Sequence, residues 1–515
     1  MIHFPILSLL IWLPVLSAII ILIWPSAKSR VTAARAISVF VAVFSLALCI
    51  WIWFDFNTET AAMQYVEQMS WIPAYGMEYA LGIDGISLTL MVLTCITTLL
   101  VVLTSWTMVH EKVSQYLATF LIMQGMIIGV FSATDALLFY FFWEAMLIPM
   151  YLSIGIWGGN SRSYAAIKFF IYTFLGSAIL LIALLYLRLQ SHSFAIVSFY
   201  SVPLTLSVQI VLFLAFLLAF GIKVPMWPVH TWLPDAHTEA PAGGSVILAA
   251  LMLKMGPYGF LRFSLPIVPD ACRSLDWLMI VLSLIAIVYV GWVALAQTDM
   301  KRLIAYSSVA HMGFVTLGFF MLYVIVAHTG SMADAFLGLE GGMMQMITHA
   351  FGSGAMFLAF GILYEQMHTR EINEFGGIAK TMPIFAVCFM VYALSNAGLP
   401  GTSGFVGEFM VILSTFKASF WVTLLAASTL VIGAAYTLWM YKRVFFGEVR
   451  HSAVAHLKDI RGVNALVFVV LVFLVIWIGV YPQPILNVVH SSISQTMKLA
   501  LNSKEPGAEA TGRDA

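Results

Sequence analysis

Lys223 lies inside an apolar stretch, LFLAFLLAFGIKVPMWPVH, two residues before Pro225 and five before Pro228. Hydrocarbon penalises a lone ammonium by several kcal/mol, so an ionisable group at such depth marks a functional site by default. The two prolines remove backbone donors and open the helix, which is tolerated only where the freed groups face protein or a water-lined cavity. Glu144 (FYFFWEAMLIPMY), Lys254 (ILAALMLKMGPYG) and Glu408 (GTSGFVGEFMVIL) repeat the anomaly elsewhere in the chain. Amines and carboxylates both take up and release protons. Four such groups beside a broken helix point to a path for ions or protons.

Glu144 and Lys223 fall on different helices, and if they meet, each lowers the cost of keeping the other charged. At about 4 Å and an effective dielectric near 20 the attraction is about 4 kcal/mol. Beside Glu144, Lys223 keeps its proton; drawn away into a dry setting, it gives the proton up. Moving one proton against about 180 mV also costs roughly 4 kcal/mol, from about 2.3 kcal/mol per 100 mV. Switch and load are of similar size, as a pump requires; a static ion pair fixing helix packing is the plainer reading. Lys254 shares its span with no carboxylate and lies too deep to snorkel to the headgroups. It reads as a central relay, and Glu408, after a second helix break, as a group that accepts or releases the proton.

Histidines occupy intermediate positions: His230 at the end of the Lys223 stretch, His311 in SSVAHMGFV and His349 in MQMITHAFG. A neutral imidazole both donates and accepts, which suits a proton relay; ordinary hydrogen bonding in a core is the alternative for each. Two-histidine haem ligation would need paired ligands at matching depth. His230, Asp235, His237 and Glu239 in PVHTWLPDAHTEAP could suggest a metal site, but the prolines favour a polar helix connection. We therefore expect no metal and no bound cofactor in this chain.

These groups must be positioned by membrane helices. The chain has 515 residues, 62% hydrophobic and only 9% charged, against about 25% charged in soluble domains. Net charge is zero, with no basic block to grip nucleic acid. The four cysteines are scattered without metal or cluster spacing. A span needs roughly 20 apolar residues, and fourteen candidates follow: 4–24, 33–54, 84–108, 115–133, 134–157, 164–189, 207–230, 243–264, 276–297, 301–326, 340–365, 383–413, 421–445 and 464–484. The N-terminal stretch lacks a basic region and a cleavage signal, so it reads as a retained first span. Residues 55–80 suit an interfacial hairpin, and residues beyond about 500 a disordered tail.

The second break, VYALSNAGLPGTSGFVGEFM, carries Gly398 and Pro400 five spans after Pro225. A repeat of five helices must place its second copy upside down, and paired broken helices in inverted repeats mark a midplane transport site. The expected fold is thus an all-α polytopic membrane protein with two inverted five-helix repeats, each containing a broken helix. Its segments are 1–110 (three helices and the hairpin), 111–270 (first repeat), 271–450 (second repeat) and 451–515 (last helix and tail). Fifteen Lys and Arg residues fall on one side of the membrane and seven on the other, with only Lys223 and Lys254 left inside. The positive-inside rule then puts both termini in the periplasm of a bacterial inner membrane.

No Walker A or GxGxxG sequence is present, so the energy must come from an ion gradient or from partner subunits. The stretch LAFGIKVPMWPVHTWLPDAHTEAPAGGSVILAALMLKMGPYGF resembles the antiporter-like membrane subunits of respiratory complex I and the related multisubunit cation/proton antiporters. The resemblance runs over nearly the whole chain. FFWEAMLIPMY, SSVAHMGF and SNAGLPGTSGFVGEF look most like the group called M in bacteria and subunit 4 in mitochondria. It implies that Glu144 and Lys223 form a modulating pair, Lys254 a central relay and Glu408 a terminal acid, with relay histidines at His230, His311 and His349. L-type relatives carry a long C-terminal amphipathic helix, for which the residues after 484 leave no room. L and N types have lysine where Glu408 stands.

The resemblance implies a proton-translocating subunit of NADH:quinone oxidoreductase, with two half-channels joined at Lys254. FMN, Fe–S clusters and quinone would sit in partner subunits, and neighbours of the L and N types, phospholipid and internal water around this one. The rival readings are a subunit of a sodium/proton antiporter and a structural membrane subunit with static ion pairs.

Overall fold

The computed structural model describes residues 4–25, 27–449 and 451–506. Arg450, Arg513 and the expected tail from 507 onward lie outside the described residues, as does the side chain of Lys28. Among the described residues thirteen helices are long and apolar enough to cross a membrane. They are Ile6–Ile23, Ser29–Asp55, Gly85–Met108, Val113–Ser132, Ala136–Trp157, Arg162–Ser191, Leu206–Lys223, Ala242–Ile267, Asp276–Leu295, Met300–Thr329, Met332–Met367, Phe420–Phe445 and Gly462–Val480. The remaining expected span, the twelfth, is two shorter helices, Pro383–Asn396 and Ser403–Phe416. The chain is an all-α polytopic membrane protein.

Local chemistry starts these helices where the apolar runs begin. Asp84 Oδ1 accepts from Ser87 N at the head of the third span, and Asp135 Oδ1 from the amides of Leu137 and Leu138 at the fifth. Asp299 Oδ1 does the same for Lys301 and Arg302 at the tenth. Each cap satisfies donors that a helix terminus leaves free. The expected hairpin is a two-stranded antiparallel ribbon, Gln64–Ile72 with Met77–Ile83, with Met69 opposite Tyr79. Its Glu67 carboxylate accepts from the amides of Leu7 (2.7 Å) and Ser8 (3.1 Å), so the hairpin caps the first membrane helix.

The end of the chain differs from the expectation. Residues 483–501 form a helix, Gln483–Leu501, so two long helices rather than one follow residue 451. Its buried positions, Ile485, Val488, Val489, Ser492, Ile493 and Thr496, recur at steps of three and four. Two of them are hydroxylic, which dilutes the apolar signal below that of a span. It crosses the head of the third span so closely that a Cβ on Gly85 would sit 1.8 Å from the Val488 carbonyl oxygen.

Burial sorts the spans into an inner and an outer set. The most apolar windows of the eighth and eleventh are 100% buried and those of the fourth and tenth 89%, against 33% for the second and 28% for the fourteenth. Lys254, His311 and His349 therefore sit on the innermost helices. The outer ones turn Leu189, Val431 and Val480 outward, as lipid-facing surfaces do. Two cations counted as loop charges are instead buried, Lys301 and Arg262. Arg262 pairs with Asp84 and donates to Ser87 Oγ at 3.1 Å.

Candidate functional site

Both helix breaks are hydrogen-bonded closed. The seventh span stops at Lys223. Pro225 has no amide to give the Gly221 carbonyl, and Met226 N takes that place at 2.7 Å. The Ile222 carbonyl, freed in turn, accepts from Trp232 Nε1 at 2.9 Å. Trp232 begins a short helix, Trp232–Glu239, that follows the break. In the twelfth span Gly398 (φ 73°) and Gly401 (φ 87°) carry the turn around Pro400. Leu399 N donates to the Leu394 carbonyl at 3.0 Å, and Gly404 N to Ser395 Oγ at 3.1 Å. A Cβ on Gly404 would lie 1.9 Å from the Ser395 carbonyl oxygen, so the two half-helices touch backbone to backbone.

Glu144 and Lys223 flank the first break without forming an ion pair. Glu144 closes the helix Ala136–Ala145, and the fifth span restarts at Leu147. Its Oε1 is buried without a hydrogen-bond partner, and Ser177 of the sixth span supplies its side-chain contact. Lys223 is fully buried, its Nζ has no hydrogen-bond partner among the described residues, and it stands 5.1 Å above the Trp143 ring. A cation over an indole face is partly compensated. The charges of Glu144 and Lys223 still interact across the gap. One turn before Lys223 the Phe220 ring lies 5.9 Å from Trp143 and 5.5 Å from Phe260 of the eighth span.

From Lys254 onward polar groups stand in two hydrogen-bonded pairs, with His349 Nε2 unpartnered among the described residues. A π-helical turn, Leu248–Met252, precedes Lys254; such turns recur at functional sites. Lys254 Nζ donates to the Ala249 carbonyl and meets His349 Nδ1, both at 2.6 Å. The His349 ring lies 5.8 Å from that of His311. His311 Nδ1 is 2.5 Å from Glu408 Oε1, which also accepts from Gln345 Nε2 at 3.1 Å. Tyr436 OH stands 3.5 Å from His311 Nε2. Four helices thus bring Lys254, His349, His311 and Glu408 into one buried row.

His230 sits apart from that row. Its ring faces Tyr306 at 6.4 Å, near Lys168. Lys168 pairs with Asp235 at 2.7 Å, and Arg302 reaches the same carboxylate at 3.0 Å. His237 is the residue that the sequence reading left out of the relay. It is fully buried, stacks on Phe357 at 4.3 Å and has no partner for either ring nitrogen among the described residues. Its charge interactions reach both Lys254 and Lys301. The usable signal was helical spacing: in WLPDAHTE, His237 shares a face with Leu233, one turn earlier, away from Asp235. Among the described residues no three His, Cys, Asp or Glu side chains are grouped to hold a metal.

Residues 133–433 match the family described as NADH:quinone oxidoreductase/Mrp antiporter, TM. NADH-quinone oxidoreductase subunit M of Rhodobacter capsulatus is 42% identical over 507 residues, covering 96% of each chain. NADH-ubiquinone oxidoreductase chain 4 of Marchantia polymorpha is 40% identical over 493 residues, covering 96% of this chain and 97% of the relative. A chain of respiratory complex I from Thermus thermophilus with bound NADH superposes with a TM-score of 0.85 at 31% identity, over 96% of this chain and 100% of that one. A chain of the Mrp complex from Dietzia sp. DQ12-45-1b has the same fold, with a TM-score of 0.84 at 20% identity, over 98% and 100%. The chain belongs to the antiporter-like membrane-subunit family of NADH:quinone oxidoreductase and Mrp antiporters, within its subunit M and chain 4 group.

Proposed function

We propose that this protein is a proton-translocating membrane-arm subunit of NADH:quinone oxidoreductase, and that protons pass through two half-channels joined at Lys254. The observation that carries this reading is the buried row Lys254–His349–His311–Glu408, met from the other side by an unpaired Lys223 beside Glu144. Lys254 passes a proton to His349, whose ring hands it to His311 by rotation or through one water, and Glu408 is the terminal acceptor. Lys223 is the switch. Drawn to Glu144 it holds its proton; standing over Trp143 it is poised to release the proton toward Lys254. His237, buried and with both ring nitrogens free of partners among the described residues, extends the relay toward Lys301.

NADH oxidation and quinone reduction then belong to subunits that hold FMN, Fe–S clusters and quinone. The subunit would pack laterally against L- and N-type neighbours in a bacterial inner membrane. Its two five-helix halves would be inverted copies, with both termini in the periplasm. Identity of 40–42% along the whole chain to subunits of the NADH-driven enzyme favours this over the sodium/proton antiporter reading. Replacing Lys223 or Glu144 by alanine in the assembled complex tests it. NADH-driven proton pumping should fall, and pumping at the parent rate would contradict a channel role for that pair.

A further inference from the structure

Lys301 is a buried lysine that the route above does not use. It is the second residue of the tenth span, almost fully buried, and its Nζ donates to the carbonyl of Ala240. Beside it lies a cavity of about 170 Å³, lined also by Thr238, Glu239, Tyr364, Glu365 and Arg370. That is room for several waters, since about 10–15 Å³ of such volume holds one. A neighbouring cavity of about 330 Å³ shares Thr238, Glu239 and Arg370 and continues to Asp235 and Asp299.

The charges at this mouth are paired, apart from Lys301. Arg370 Nη1 lies 3.2 Å from Glu239 Oε1 and 2.6 Å from the Thr238 carbonyl, and its Nε is 3.3 Å from Asp299 Oδ2. Glu239 Oε2 accepts from Ser161 N at 2.8 Å. On the cavity's edge Glu365 meets His110 at 3.0 Å. Lys301 Nζ differs in having a neutral carbonyl as its one hydrogen-bond partner among the described residues. Glu239, Asp299, Arg370 and His237 are the ionisable groups around it. His237, with both ring nitrogens free of protein partners among the described residues, feels the charges of both Lys301 and Lys254.

We propose that Lys301 and the cavity beside Glu239 and Arg370 form the proton uptake site that feeds Lys254 through His237. It rests on the proposed route through Lys254. A neutral Lys301 amine accepts a proton from cavity water in exchange with bulk, and the resulting ammonium gives a proton to a ring nitrogen of His237. Each transfer breaks one O–H or N–H bond and forms one, and no electrons move. Glu239 and Arg370 are positioning residues that hold the mouth open and neutral. A purely structural Lys301 would only cap the Ala240 carbonyl, which closes the helix Trp232–Glu239.

The test places Lys301→Cys in the intact complex in inside-out vesicles; the four native cysteines are buried. NADH-driven pumping should fall at least about tenfold. It should return with 2-aminoethyl methanethiosulfonate, which installs a primary amine, and not with the methyl reagent. Parent-rate pumping of Lys301→Cys, equal rescue by the methyl reagent, or no rescue by the amine each overturns the proposal. Lys301→Arg is the second arm, because it keeps a donor for Ala240 but cannot deprotonate. Lost pumping in assembled Lys301→Arg complex supports uptake at Lys301, and parent-rate pumping overturns it. Lys254→Ala, measured alongside, separates the two readings. If it pumps like the parent, the route through Lys254 fails and uptake at Lys301 with it; if only the Lys301 arms fail, uptake alone is wrong.

Discussion

The two halves of the site are built from similar parts and wired differently. Around the first break, Lys223 Nζ and Glu144 Oε1 lack hydrogen-bond partners among the described residues, and apolar aromatic rings, Phe220 with Trp143 and Phe260, pack nearby. Around the second, Lys254 meets His349 and His311 meets Glu408, two hydrogen-bonded pairs whose histidine rings lie 5.8 Å apart, with Gln345 and Tyr436 beside them. Unpaired buried charge is expensive and paired polar networks are cheap. In the proposed route the second half needs only a ring rotation or one water between His349 and His311, and control lies in the first, where moving one lysine changes what is paired. The lesson is that a proton path needs one dry, poorly satisfied stretch to be gated at all.

Four substitutions break or sharpen that contrast. Gly404→Ala has the largest expected effect: a Cβ 1.9 Å from a backbone oxygen forces the half-helices of the second break apart. Assembled complex recovered from mild detergent, and pumping with it, should be lost. Lys223→Arg keeps the cation over Trp143 but fixes its charge, so pumping should fall at least about tenfold if release from Lys223 is the gate. His349→Leu cuts the row next to Lys254, a hydrogen bond of about 1–1.5 kcal/mol or a fall of about tenfold. Tyr436→Phe removes only the hydroxyl 3.5 Å from His311 Nε2, which the relay does not use, and should cost about twofold. Each is read as the rate of proton uptake into vesicles per assembled complex. Equal effects of Tyr436→Phe and Lys223→Arg would erase the distinction between the halves.

Much of this was legible from residue types alone. A charge in hydrocarbon is conspicuous, so Glu144, Lys223, Lys254 and Glu408 stood out, and Pro225, Gly398 and Pro400 located both breaks. His311 and His349 followed because each lies inside an apolar span. What stayed hidden depends on distance rather than type. Whether Glu144 touches Lys223 turns on where Trp143 stands, and the π-turn before Lys254 leaves no mark in its apolar sequence. Lys301 and Arg262 sit beside span ends, where the pattern equally fits a solvated loop. His230 lies in the turn before the short helix Trp232–Glu239 and His237 inside it, so the same polar segment sends one ring toward Tyr306 and the other onto Phe357. The C-terminal helix escaped because a half-polar stripe is too weak for a span and too apolar for a tail.

The central claim is that Lys254 is the joint through which protons pass between the halves. Protons translocated per NADH oxidised by the intact complex carrying Lys254→Met, reconstituted in sealed proteoliposomes, test it most directly. Methionine fills the space left by the lysine stem without a titratable group. A ratio below that of the parent complex is the predicted result. The parent ratio, at the parent rate of NADH oxidation, would contradict the account.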